Sequence, residues 1–531
     1  LIIGGGVTGT GMARDLALRG ISCTLVEQRD INTGASGGNH GLLHSGARYV
    51  SSDPVSAREC QEEAQTLRNI APHCIEDTGG LFVAVDGDDQ AYAADFPQAC
   101  SRAGIPCAPL SPSEARDLEP GLSPRVISAY AVNDATIDPF HISLDNISQA
   151  IDLGARYLSH HQVIALTRDP EDAVQAVHLR NTVTNQELVL YPQIVLNASG
   201  AWAGEILRLA GLDLGMLYAK GTLAVTSTRL SRGVINRLRP PGDGDILVPG
   251  GTVSILGTTS VRIDDLSIIK PTVQEVDTIV DQGAAMFPSL ESTRYIRSYA
   301  GVRPLLQSRD SSDDRKISRG YALIDHAQEG CPNLITLTGG KLTTFRLMAE
   351  RGADLVASKL GITLPCQTAH QALPSSVAGK WSEAGRSSKY WAQRAAHRDM
   401  VLCECELIPQ SHFQDILTSL KQHDVLSELN AFRLRSRLGK GACQGTFCSL
   451  RLTNSMVDAD HYSGSQGLAE IKSFVSRRWT GQRPVLWDGQ LCQAELAEAL
   501  HCGLFGLELQ AAEKKKQVES RRGRDGWNDP T

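Results

Sequence analysis

Three groups of residues in the 531-residue chain have types and spacings suited to chemistry. Gly4, Gly6 and Gly9 fill the G-x-G-x-x-G spacing directly after the apolar run Leu1-Ile2-Ile3. Such a turn lets backbone approach a pyrophosphate whose charge faces helix N-terminal amides. Glu27 closes the next apolar run, Ile21 to Val26, where a carboxylate can accept from a ribose 2′-hydroxyl and disfavours a 2′-phosphate. These residues alone leave FAD and NAD both open. Cys403-x-Cys405 and Cys443-x4-Cys448 place four thiolates in two close pairs, a set for two irons with bridging sulfides or for one tetrahedral zinc. Arg48, Arg303 and Lys341 sit inside glycine-rich apolar segments. Read by themselves they are solvated charges or, if the fold brings them together, a fork-like donor set for an anion.

The elements that position these groups follow from pattern. Met12, Leu16 and Leu18 start a helical stripe after the glycine turn and Gly20 ends it, which gives strand, turn, helix and strand in order. Three later segments belong to the same unit: a strand around Val163 within Tyr157 to Arg168, the run Ile194 to Gly200 with small Ala198 and Gly200 at its end, and Leu334 to Thr338 running into Gly339-Gly340-Lys341-Leu342. The last is expected to present free amides and a helix start to an electron-accepting ring. The stretches at about 75–130 and 201–295 alternate apolar residues with turns such as Pro240-Pro241-Gly242-Asp243-Gly244 and read as antiparallel sheet roofing a pocket.

Composition narrows the class. With 41% apolar and 21% charged residues the chain is globular, and a net charge of −7 provides no field for nucleic acid. No apolar run is long enough to cross a bilayer, so a soluble or peripheral protein is expected. The chain opens at Leu1 with a strand under way and no initiator Met, which predicts a few further residues upstream. The odd, scattered set of 13 cysteines fits a reducing compartment. Cys23, Cys60, Cys74, Cys100, Cys107, Cys331, Cys366, Cys492 and Cys502 lack partners at ligand spacing and read as core or surface thiols. Residues 366–399 read as a polar linker, 400–490 as a small helical four-cysteine domain, and 491–531 as a helix with Leu496, Leu500, Leu504 and Leu507 followed by the basic tail Lys514-Lys515-Lys516 and Arg521-Arg522.

Gly34-Ala35-Ser36-Gly37-Gly38-Asn39-His40-Gly41-Leu42-Leu43-His44-Ser45-Gly46-Ala47-Arg48-Tyr49 resembles the flavin loop and substrate-arginine motif of the FAD-dependent glycerol-3-phosphate dehydrogenases, in particular the large catalytic A-type subunits of the anaerobic bacterial enzymes. The likeness extends over nearly the whole chain. The family pattern carries Arg immediately before the Asn-His pair, where this chain has Gly38. The resemblance implies an α/β fold over 1–365: a Rossmann-like FAD domain of the glutathione-reductase, D-amino-acid-oxidase type with an inserted antiparallel substrate cap. It implies FAD contacts at Gly4, Gly6, Gly9, Glu27, Gln28, Ser36, Asn39, His40, Leu42, Val163, Ala198, Gly200, Gly339, Gly340 and Leu342, and substrate contacts at Arg48, Tyr49, Arg303 and Lys341. The cysteine region resembles a bacterioferritin-associated-ferredoxin-like domain, implying a [2Fe–2S] cluster on Cys403, Cys405, Cys443 and Cys448. Further implications are oxidation of sn-glycerol 3-phosphate, a second, B-type flavin-containing subunit with FMN in the complex, a membrane-anchoring C-type iron–sulfur subunit, a quinone as final acceptor, and a cytoplasmic, membrane-peripheral location.

Hydride loss from a secondary alcohol also needs a base within hydrogen-bond reach of the hydroxyl. His44 is the first residue to test, Tyr49 is placed to orient the hydroxyl beside the cations, and the residues alone leave the base unassigned. Two rivals stand: an enzyme of the same fold acting on an amine or 2-hydroxy acid, which needs fewer cations, and a non-catalytic electron-transfer protein without substrate.

Overall fold

A computed structural model describes residues 1–267, 269–306, 320–374 and 399–507. The basic tail and most of the expected linker lie outside the described residues. The first strand, Ile2–Ile3, is central in a six-stranded sheet. It pairs in parallel with Thr24–Val26 on one side and Val195–Asn197 on the other. Arg156–Leu158 and Leu334–Gly339 extend the parallel run, and Tyr321–Asp325 closes it antiparallel. Strands so central are mostly apolar because both faces are covered, and their buried polar members Asn197 and Thr336 lie within hydrogen-bond reach of each other. Helices Val7–Leu18, Pro139–Asp152 and Phe345–Lys359 pack together, the first touching both others. A three-stranded antiparallel sheet, His161–Arg168, Val174–Asn181 and Glu187–Leu190, forms separately.

The segment from Tyr157 to Arg168 therefore divides between two sheets. Its first part ends the parallel sheet at Leu158, and His160 at φ 58° turns the chain into the antiparallel one. The cap also differs from the antiparallel expectation at one seam. It is a nine-stranded sheet in which Val234–Arg237 runs parallel to Gly80–Val85, because that pair joins the two separate cap segments; the other pairings are antiparallel. Its longest strands, Met216–Thr226 and Tyr295–Leu306, pair over most of their length, so the cap extends past residue 295 to take in Arg303.

The C-terminal region is a short hairpin, Val401–Cys403 with Ile408–Pro409, followed by helices Gln410–Gln422, Leu429–Arg435, Cys448–Asp458, Gly464–Gln482 and Asp488–Phe505. Leu496, Leu500 and Leu504 are exposed along the last of these, whereas Leu507 lies beyond its Gly506 cap and is buried. Among the described residues no helix is long and apolar enough to cross a membrane.

These helices share a core with the nucleotide-type sheet. Leu402, Phe413, Phe432 and Leu452 belong to the same buried cluster as Met12, Leu25 and Leu196. At the seam, Arg435 Nη1 lies 2.6 Å from Asp30 Oδ2, and Tyr157 donates to Asp30 Oδ1 at 3.0 Å. Burial would raise the Asp30 carboxyl, but the Arg435 charge and these hydrogen bonds outweigh it and hold Asp30 below its ordinary 3.8. Replacing Arg435 by Leu leaves that carboxylate buried and unpaired, at an expected cost of about 3–5 kcal/mol, read as a lower urea midpoint. Because the folded-state pKa is depressed, the pair's contribution is present at neutral pH and is lost as pH falls below the ordinary carboxylate range. Stability of the wild type that does not fall relative to Arg435→Leu on acidification to pH 3 would contradict this.

Candidate active site

The glycine turn works by close approach. A Cβ on Gly9 would lie 1.9 Å from the Gly4 carbonyl oxygen, and one on Gly4, at φ 113°, would lie 2.6 Å from the Ala198 carbonyl. Gly9 therefore packs helix on strand and does not line the cavity, unlike its expected place among the cofactor contacts. Gly4 and Gly6 do line it. Glu27 Oε2 accepts the Gly5 amide at 2.8 Å and Oε1 the Arg29 amide at 2.9 Å, so the acid braces the turn at the cavity edge. Ser36 Oγ accepts the Val7 amide at 2.9 Å, tying the loop to the first helix.

The cavity measures about 790 Å3. Around it the fold brings together Gln28, Ser36, Asn39, His40, Leu42, Val163, Ala198, Gly200, Gly339, Gly340 and Leu342 with Glu27 and the turn. His44, Arg48, Tyr49, Arg303 and Lys341 line it as well. One expected detail differs: the Gly340 amide is not free but donates to the Gly320 carbonyl at 3.0 Å, and the following helix begins only at Phe345. Gly339 at φ 83° and Gly340 at φ 72° adopt the left-handed backbone that makes this tight turn.

The loop 34–40 is fixed to the cap. Tyr299 donates to the Asn39 carbonyl at 2.7 Å, and Gly38 lies against Gly301, where a Cβ at 301 would fall 2.3 Å from the Gly38 carbonyl oxygen. A Cβ at position 38 would itself stand 3.0 Å from Gly301 Cα, so a side chain there has to be accommodated by a neighbouring backbone.

The cations are held by partners that no local pattern announced. Arg48 Nη2 lies 3.0 Å from Asp245 Oδ2, and the same buried carboxylate pairs with Arg239 at 2.8 Å. Arg303 donates to the Thr259 carbonyl at 3.1 Å and to the Thr258 hydroxyl. Gly221 leaves it room, since a Cβ there would come 2.6 Å from Arg303 Nη2. Lys341 Nζ stands 4.7 Å from the Tyr49 ring centre, a cation–π distance, and that ring lies 5.3 Å from the His44 imidazole. Asp245 follows a turn legible in sequence, but its acid carried no signal of its own; Thr258 and Thr259 carried none.

His40 is half-buried at the cavity edge, and its Nδ1 atom is buried without a hydrogen-bond partner. Desolvation, helped by the charges of Arg303 and Arg48, pushes it down to about 3, so the ring is neutral at pH 7. An orphaned nitrogen in a cavity edged by glycine backbone marks a place for a polar group of a bound molecule.

The four cysteines also converge. Cys403 and Cys448 sulfurs are in hydrogen-bond contact, and Cys443 receives from Cys405 and Cys448. Those contacts and the amides of Gly445 and Phe447 drive the Cys443 thiol pKa down despite burial. The same sulfur contacts push the Cys405 and Cys448 thiols up, so what suits a metal or cluster site is the gathering of the sulfurs and the amide donors to one of them. Separately, Cys74, expected as a simple core thiol, sits with His73 and Asp145, their ligand atoms all within 4.8 Å of one another.

Comparison with known proteins adds the following. The FAD dependent oxidoreductase family matches residues 1–355. The A-type chain of the anaerobic glycerol-3-phosphate dehydrogenase of Escherichia coli K12 is 41% identical over 530 residues, covering 96% of this chain and 97% of that protein. The A1-type chain of the Haloferax volcanii anaerobic glycerol-3-phosphate dehydrogenase is 37% identical, covering 99% and 94%. Among solved structures, the glycerol-3-phosphate dehydrogenase from Bacillus halodurans complexed with FAD superposes with a TM-score of 0.62 at 21% identity, covering 92% of this chain and 95% of that one.

The His40 assignment is directly measurable. In ¹⁵N-histidine NMR spectra the ring is expected to keep the neutral pattern from pH 5 to pH 8. A protonation midpoint near the ordinary 6.5 would show that the site is wetter than its burial implies.

Proposed function

The chain belongs to the FAD dependent oxidoreductases and, within them, to the large A-type chains of the anaerobic glycerol-3-phosphate dehydrogenases; from that premise we infer that it oxidises sn-glycerol 3-phosphate to dihydroxyacetone phosphate. The observation that carries the reading is one cavity in which a dinucleotide-type glycine turn and Glu27 lie with Arg48, Arg303 and Lys341. FAD fits the close backbone approach at Gly4 and the orphaned His40 nitrogen, and when bound it accepts the hydride.

The residues of the chain do the rest. Arg303 and Lys341, with Arg48 oriented by Asp245, bind the phosphate through charge-assisted hydrogen bonds. Tyr49, with the Lys341 ammonium over its ring, orients the alcohol. His44, 8% exposed and next to Tyr49, is the residue proposed to take the alcohol proton. The cap sheet excludes water from the reacting carbon.

Four converging thiols support a [2Fe–2S] cluster on Cys403, Cys405, Cys443 and Cys448, which takes electrons one at a time and makes a dehydrogenase more fitting than an oxidase. Onward transfer runs through a B-type flavin-containing subunit, with FMN, then through a membrane-anchoring C-type iron–sulfur subunit to a quinone, which places this chain at the cytoplasmic face of the membrane.

Glycerol 3-phosphate added without oxygen is expected to bleach the bound flavin; bleaching by lactate or an amino acid in its place would refute the substrate. Substitution of Arg303 by Ala should remove a charged hydrogen bond worth about 1.5–3 kcal/mol, raising KM roughly tenfold to a hundredfold, and an unchanged KM would take Arg303 out of the site. Iron and sulfide analysis of anaerobically purified protein should find both; stoichiometric zinc without iron would end the electron-transfer role of the cysteines.

A further inference from the structure

Away from the large cavity, a cleft of about 70 Å3 opens between the cap strand Tyr295–Leu306 and the C-terminal helices Leu429–Arg435 and Gly464–Gln482. Arg297, Arg433, Arg477 and Arg478 line it, against the carboxylates of Glu428 and Glu470. Both carboxylates are engaged elsewhere: Glu428 lies 3.5 Å from His160 Nε2, and Glu470 accepts the Leu429 amide at 3.0 Å.

The arginines have neutral partners. Arg433 Nε donates to Asn430 Oδ1 at 3.0 Å, and Arg478 donates to Gln444 Oε1 at 2.7 Å and to the Gly439 carbonyl. The Nε atoms of Arg297 and of Arg478, itself only 4% exposed, are buried without any hydrogen-bond partner. Among the described residues no ion pair neutralises any of the four.

Partly buried cations whose neighbouring carboxylates are engaged elsewhere carry a desolvation cost, and that cost is visible here. Desolvation pushes Arg297 down to about 10, and desolvation with the repulsion of Arg297 and Arg477 pushes Arg433 down to about 9. An anion in the cleft would reverse both effects and fill the vacant donors. Guanidinium forks match the oxygens of a tetrahedral oxyanion, and the volume admits such a group but not a nucleotide.

We propose that this cleft binds a phosphate dianion, either free or as the head group of a small phosphate ester. The bound anion bridges a cap strand and the two helices, and through Arg478 and Gln444 it reaches the loop between Cys443 and Cys448. It thereby fastens the helices that pack around the four-cysteine loop to the sheet that carries Arg303.

Calorimetric titration of inorganic phosphate into the full chain tests this, using Arg303→Ala as the parent to weaken phosphate binding in the large cavity. The parent is expected to bind phosphate, and adding Arg477→Gln or Arg433→Gln is expected to weaken that binding at least tenfold. Arg477 is exposed, so its substitution leaves the core intact. Glycerol 3-phosphate titrated into the phosphate-loaded parent separates the sources: displacement assigns the ester, and no displacement assigns the free ion. A parent that binds no phosphate, or one whose affinity is unchanged by Arg477→Gln, overturns the proposal. If Arg303 plays no part in the large cavity, the parent shows a second phosphate site indifferent to Arg477 beside the one that Arg477→Gln weakens; that second site counts against the functional reading alone, whereas loss of every Arg477-dependent site counts against this one.

Discussion

Contact between Gly9 and the carbonyl of Gly4 is the constraint on which the rest of the molecule depends. A single carbon added at position 9 would fall 1.9 Å from that oxygen, so the first helix lies against the first strand only where hydrogen stands. That contact sets the direction of the helix and aims its amide end at the cavity, where helix-terminal partial charge favours an anion. The same strand end comes within a carbonyl's breadth of Ala198, which brings the neighbouring parallel strand to the cavity edge.

Once that turn is fixed, the cap must supply the other wall, and its chemistry is a matter of placing charge where water is scarce. Arg48 and Arg239 share the buried Asp245, so part of the positive charge is neutralised before any ligand arrives. Arg303 is held through a hydroxyl and a carbonyl, which orient a guanidinium without cancelling its charge. His40, which feels both Arg303 and Arg48, stays neutral because desolvation and their repulsion both disfavour its protonation. The arrangement leaves a cationic cavity suited to a dianionic alcohol, with a neutral His40 nitrogen free to meet a polar group of the flavin.

The C-terminal helices are not appended to this body but completed by it. Phe413 and Phe432 enter the same buried cluster as Leu25 and Leu196, and Arg435 closes on Asp30, three residues beyond the acid that braces the glycine turn. A buried pair of this kind is weak evidence for net stability but strongly penalises separation, because either partner left alone stays charged and dry. Docking of the C-terminal region is thereby coupled to the nucleotide-type sheet through one short stretch of chain.

Local order decided what could be read from the chain alone. Glycines at fixed spacing, an acid at the end of an apolar run and cysteines in two close pairs each act through neighbours within a few residues, so the turn, Glu27 and the thiol set were legible, as was the gathering of Arg48, Tyr49 and Lys341 through resemblance. Asp245, Thr258 and Thr259 were not, nor were the parallel seam between Val234–Arg237 and Gly80–Val85, the Asp30–Arg435 pair and the Arg297–Arg433 cleft. Each of these joins residues far apart in sequence, and their chemistry comes from burial: an aspartate or arginine reads the same in the chain whether it ends in water or in a core. Sequence determined which groups were present and which turns they made, and tertiary structure alone decided which charges were dried, paired or left unmatched, because dielectric and distance exist only once the chain has folded.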